Sequence, residues 1–166
     1  MGNGHSAQPT GGALYTSQQR KRRDETIWTL VQGILAPLQF LVFAVSFVLV
    51  VRYLMTGAGY DWATWSILAK TFFLYLIMIT GAIWEKVVFG QYLFAPAFFW
   101  EDVVSFGVIA LHTLYLWVLF TGGAGPVAQM WIALAAYAIY VVNAAQFVWK
   151  LRMARLQSDV QMGAMA

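Results

Sequence analysis

Four apolar runs constrain this chain more than any other feature. They cover about residues 27–53, 66–88, 101–121 and 127–151. A helix that crosses a bilayer needs roughly 20 mostly apolar residues, and lipid leaves every backbone amide to be bonded within the segment. Charged residues make up only 10% of the 166 residues, too few to cover a water-soluble globule of that size. The reading is an all-α integral membrane protein, a four-helix transmembrane bundle.

Charge sets the expected orientation. Arg20-Lys21-Arg22-Arg23 precede the first run, and Lys150, Arg152 and Arg155 close the last. The positive-inside rule places both clusters, and so both termini, in the cytoplasm. Residues 1–26 are then a polar cytoplasmic tail with a basic juxtamembrane cluster, 27–151 the transmembrane domain and 152–166 a second tail. Residues 1–19 lack the apolar core of a secretory signal. The basic clusters suit an anionic inner leaflet; membrane lipid is an expected partner and nucleic acid is not. The compartment expected is a membrane whose anionic leaflet faces the cytoplasm.

The chain has no cysteine. Disulfides, thiol nucleophiles, thiolate metal sites and iron–sulfur clusters are thereby excluded. His112 is the one histidine in the runs, since His5 lies in the tail, so a haem held by two histidines is disfavoured. Lys70 falls near the outer end of the second run and is expected to snorkel to the headgroups. That leaves no lysine in mid-span for a retinal Schiff base.

Helical spacing sorts the remaining polar residues. Gln32, Gln39 and Ser46 recur every seven residues and form a stripe that faces other helices. Glu101, Ser105, His112 and Tyr115 share one face of the third run, with Thr71, Tyr75, Met78, Ala82 and Glu85 on one face of the second. Tyr140, Asn143 and Lys150 lie close together on the fourth. Most of these polar groups fall in the cytoplasmic half. Below them, residues 89–100 form a connector that carries Phe89, Tyr92, Phe94, Phe98, Phe99 and Trp100. An aromatic stretch of this kind covers something apolar. Together they describe a cavity opening toward the cytoplasmic leaflet and suited to a flat amphiphile.

Each candidate has a plain alternative. His112, near the bilayer midplane, is a neutral imidazole bonded to a neighbouring helix, a metal ligand, or a general acid or base. Glu101-Asp102 either complements a helix N-terminus or supplies a carboxyl able to donate a proton. Glu85 is either the same kind of proton-donating carboxyl or a local partner of Lys86.

Several segments carry a family resemblance: Leu14-Tyr15-Thr16, Trp28 through Pro37, Gly81 through Lys86, and Phe94-Ala95-Pro96-Ala97-Phe98-Phe99-Trp100-Glu101-Asp102. Nearly the whole chain resembles the 3-vinyl bacteriochlorophyllide hydratase family of photosynthetic bacteria, also called 2-vinyl bacteriochlorophyllide hydratase. The resemblance implies a hydro-lyase of bacteriochlorophyll biosynthesis. It adds water to the C3 vinyl group of a chlorophyllide or bacteriochlorophyllide, giving a 1-hydroxyethyl group. No cofactor is implied, and magnesium enters only as part of the tetrapyrrole substrate.

Roles on this reading follow from the chemistry. Protonation of the terminal vinyl carbon leaves a cation stabilised by the macrocycle, which water then captures. Glu101 or Glu85 is the expected acid, with Asp102 or His112 handling the water; His112 instead ligates the substrate magnesium in a second version. Gln32, Gln39, Tyr140 and Asn143 are expected to position water or ring carbonyls. Phe98, Phe99 and Trp100 are expected to cover the ring, and Lys86 to meet the substrate's carboxylate, as Lys150 also can. The competing function is a non-enzymatic pigment-binding or assembly subunit of a photosynthetic membrane complex. A second copy of the chain or other enzymes of the pathway are the further partners considered.

Overall fold

The computed structural model describes residues 14–163. The first thirteen residues of the expected N-terminal tail, His5 among them, and the last three of the C-terminal tail lie outside the described residues. Five helices follow in order: α1 Ser17–Glu25, α2 Ile27–Thr56, α3 Tyr60–Phe89, α4 Phe99–Thr121 and α5 Pro126–Gly163. There is no strand among the described residues. By length and composition, α2, α3, α4 and the Pro126–Leu156 part of α5 are each able to cross a membrane.

Local chemistry explains the boundaries. Thr16 caps α1 in a reciprocal box with Gln19, and Thr26 accepts from the Trp28 amide to start α2. Pro126 opens α5, where a missing N–H has no consequence. Gly57, Gly90 and Gly122 close α2, α3 and α4 at φ of 68°, 91° and 66°, a left-handed conformation that a side chain would strain. α3 begins at Tyr60, six residues before the apolar run suggests, because Tyr60-Asp61-Trp62 supply a polar and aromatic first turn rather than a loop.

The four long helices form two hairpins, α2–α3 and α4–α5, closely packed within each and more sparsely packed across. Polar ties reinforce each hairpin. Gln32 Nε2 donates to Thr80 Oγ1 at 2.7 Å and Trp84 Nε1 to Thr29 Oγ1 at 2.9 Å within the first. Asn143 Nδ2 donates to the Glu101 carbonyl at 2.9 Å within the second. Three apolar clusters stack along the axis. One, with Val50, Ile67, Tyr115, Met130 and Tyr137, lies toward the hairpin turns; Leu74, Val108 and Tyr140 make the middle one. Tyr15, Val88 and Phe98 make the last, at the end closed by the connector between α3 and α4.

The stretch before α2 adds more to the fold than a polar tail would. Tyr15 is buried and stacks on Phe89 at 5.8 Å, with the Arg23 guanidinium 4.9 Å from its ring centre. Burial pushes the Tyr15 hydroxyl above its ordinary value, against the pull of Arg23. α1 is therefore held at the connector end of the bundle. Large apolar side chains such as Phe47, Phe72, Trp117 and Phe120 point outward.

Candidate active site at the seam between the hairpins

Glu85, in the last turns of α3, and Asp102, in the first turn of α4, meet across the seam between the two hairpins. They are 5% and 4% exposed. Their carboxyl groups lie close enough to act on each other. Burial and like charge disfavour ionising both at once, so a pair sharing one proton is the favoured state. The connector closes over it. The Phe94 amide donates to Asp102 Oδ2 at 2.7 Å, and the Ala95 amide to Glu85 Oε2 at 3.2 Å.

The backbone that delivers these amides is strained. Phe94 has φ of 57°, the one positive value on a non-glycine residue among those described. Pro96 restricts Ala95 to extended conformations, so the strain falls one residue earlier. The Phe94 ring is held by stacking on Phe106 at 5.4 Å and by Phe99 at 5.7 Å.

Glu101 sits beside Asp102 but in a different bond network. Its Oε2 accepts from Lys150 Nζ at 2.6 Å, and Lys150 also donates to the Ala97 carbonyl. Ser105 Oγ donates to Asn143 Oδ1 at 3.1 Å. Lys150 and Asn143 thus tie α4 to α5. A cleft of about 630 Å³ opens along α5, with Leu14, Glu101, Gln146, Trp149 and Lys150 in its walls; neither Glu85 nor Asp102 lines it.

A second buried polar group lies nearer the middle of the bundle. His112 is 1% exposed, and its Nδ1 is 2.8 Å from the Val108 carbonyl. A carbonyl only accepts, so Nδ1 carries the proton and Nε2 keeps its lone pair, buried with no hydrogen-bond partner. Lys70 is 0% exposed, with Nζ 3.5 Å from the centre of the Tyr140 ring and no hydrogen bond. The snorkelling expected of Lys70 is therefore corrected. With α3 starting at Tyr60, this lysine lies about 9 Å deeper than the apolar run alone indicates. The same placement removes the premise that no lysine lies within a span.

The other sequence candidates are dispersed. Gln32 is used between α2 and α3, and Gln39 is buried on α2. Lys86 is exposed, donates to the Gly90 carbonyl at 2.8 Å and lies 5.2 Å from the Tyr92 ring centre. Phe98 is buried against Trp84, Phe89 and Phe147, whereas Phe99 and Trp100 point outward. Among the described residues there is no group of three or more metal-ligating side chains. Sequence reasoning missed the amides of Phe94 and Ala95 and the depth of Lys70. Only the Ala95-Pro96 pair, a constrained dipeptide shortly before Glu101-Asp102, signalled the former.

A family model for 2-vinyl bacteriochlorophyllide hydratase matches residues 15–153. The chain is 73% identical over 150 residues to a 2-vinyl bacteriochlorophyllide hydratase of Rhodobacter capsulatus, covering 90% of this chain and 87% of that one. It is also 73% identical over 157 residues to one of Cereibacter sphaeroides, covering 92% and 98%. No solved structure matches. Matches that span the connector, both acids and all four long helices show that the chain belongs to the 2-vinyl bacteriochlorophyllide hydratase family.

Proposed function

We propose that this chain adds water to the vinyl group of a bacteriochlorophyllide and that the Glu85–Asp102 pair moves the protons. The observation that carries the reading is the meeting of these two buried carboxyl groups under successive connector amides, those of Phe94 and Ala95. The protonated member gives its proton to the terminal vinyl carbon as the carbon–carbon π bond breaks. The cation forms on the inner carbon, next to the macrocycle. A water oxygen bonds to that carbon, and the ionised member takes the proton the water sheds. One proton leaves the pair and one returns, so the cycle closes without oxidant, reductant or cofactor. General acid–base help of this kind is worth on the order of 10²–10⁴ in rate.

Position supports the assignment. The seam is the sparsely packed side of the bundle, and its rim near the acids carries the half-exposed rings of Phe94, Phe99 and Phe106. Flat aromatic rims of this sort suit a macrocycle arriving sideways from lipid. Glu101, locked to Lys150, is the weaker acid candidate. His112 is ten residues from Asp102 on the same helix, about 15 Å along its axis, so one vinyl group does not reach both. On this reading α2–α5 span the bacterial inner membrane with both termini and the connector on the cytoplasmic side, as the basic residues flanking the spans favour.

The alternative of a pigment-binding subunit leaves the acid pair without a purpose. The test uses membranes of a host that makes no pigment, expressing only this chain and given a vinyl chlorophyllide in heavy-oxygen water. A product carrying one heavy oxygen, formed over many turnovers, is the expected result. Pigment retained one-to-one without product would instead establish the binding subunit.

A further inference from the structure

Lys70 is the one fully buried cation among the described residues, and its Nζ has no acceptor. The other lysines near the site are engaged: Lys86 with the Gly90 carbonyl and Lys150 with Glu101. A charge held in an apolar interior without an anion is destabilising, and the face of Tyr140 compensates only in part. His112 packs against Tyr137, one helical turn from Tyr140 on α5, and presents an unpartnered lone pair on Nε2. A donor cation next to an acceptor nitrogen defines its ligand narrowly. A carboxyl group answers both, with one oxygen accepting from the ammonium and the other able to share a proton with Nε2.

We propose that Lys70, with His112, anchors the free propionate carboxyl of the pigment. The inference rests on the hydratase reading above and extends it. Along α4, His112 lies about 15 Å from Asp102. That is the scale of a tetrapyrrole with its side chains. The vinyl group at the acids therefore sets the carboxyl-bearing edge toward Lys70. Lys150 is already neutralised by Glu101, and Lys86 lies exposed outside the bundle.

The test compares kcat/KM for a vinyl chlorophyllide and for its methyl ester, in the full-length chain in membranes. The natural chain is expected to favour the free acid by about tenfold or more, the scale of one charge-assisted hydrogen bond. Lys70→Met is expected to bring that ratio toward one, and Lys70→Arg to retain most of it. Equal rates on acid and ester in the natural chain overturn the anchor while leaving the hydratase intact, and need no variant to fold. A preference that persists unchanged in Lys70→Met overturns it equally. If neither pigment gains water, the hydratase reading fails first and the anchor with it.

Discussion

Glu85 and Asp102 come from different hairpins, yet their buried carboxyl groups accept from the amides of two successive connector residues, Ala95 and Phe94. Glu101, their neighbour in sequence, belongs instead to Lys150. The two networks separate by substitution. Glu85→Gln and Asp102→Asn should each lower kcat by about 10²-fold or more while pigment still binds, since shape is kept and the proton function is lost. Glu101→Gln should retain most of the rate. Heavy-oxygen incorporation and pigment co-purification measure the two effects separately. A silent Glu101→Gln is the part that distinguishes this pair from an acid acting out of the α5 cleft.

A pair that must hold one proton predicts a bell-shaped dependence of kcat on pH. At low pH both carboxyls are protonated and no base receives the water's proton, so the rate falls. At high pH both are ionised and no acid remains, so it falls again. The two limbs belong to the pair and not to either residue. A profile with a single limb across the range in which the bundle stays folded would assign the acid and base to groups that do not interact.

The four long apolar helices were legible because length and apolarity are one-dimensional properties. The buried face of α4 was legible too, since Glu101, Ser105, His112 and Tyr115 follow helical spacing and all are buried. The partner of each acid was not. Spacing places Glu101 and Asp102 on one helix and Glu85 on another, but which of them meet depends on how residues 90–98 fold back, and that depends on a strained backbone at Phe94. Lys70 was misplaced for a related reason. The apolar run begins at residue 66, whereas the helix begins six residues earlier, and depth is counted from the helix. Tyr15 sits in a polar stretch that gives no periodic signal at all.

Phe94 offers a backbone test of the site. Its amide is needed at Asp102 and its φ of 57° is unfavourable for an aromatic residue. Asparagine tolerates the left-handed region and keeps the amide. Phe94→Asn should therefore keep much of the activity, less what the Phe106 stacking contributes to substrate affinity. Proline fixes φ near −65° and has no N–H. Phe94→Pro should cost at least as much as Asp102→Asn. Equal activity in the two variants would mean that the connector's backbone is irrelevant to the acids.

If His112 joins Lys70 in holding a carboxyl, it is not the ligand of the pigment's magnesium. Magnesium-free vinyl pigment should then be hydrated with a kcat/KM within about tenfold of the natural substrate, a difference of no more than 1.4 kcal/mol. A larger loss in the natural chain, abolished in His112→Ala, would return His112 to the metal.

The seam itself makes the last prediction. Tyr75 Oη and Thr113 Oγ1 lie 2.7 Å apart on the exposed side between α3 and α4, one hydrogen bond joining the hairpins where side chains otherwise meet sparsely. A macrocycle that enters sideways must part them. The chain has no cysteine, so cysteines placed at 75 and 113 are its only thiols. Joining them with a short bis-maleimide should abolish hydration of added pigment, whereas the same double variant capped with a monofunctional maleimide should stay active. Pigment loaded before cross-linking should still be converted once and its product retained. Full turnover in the cross-linked protein would place the route for substrate elsewhere, with the cleft along α5 the next surface to block.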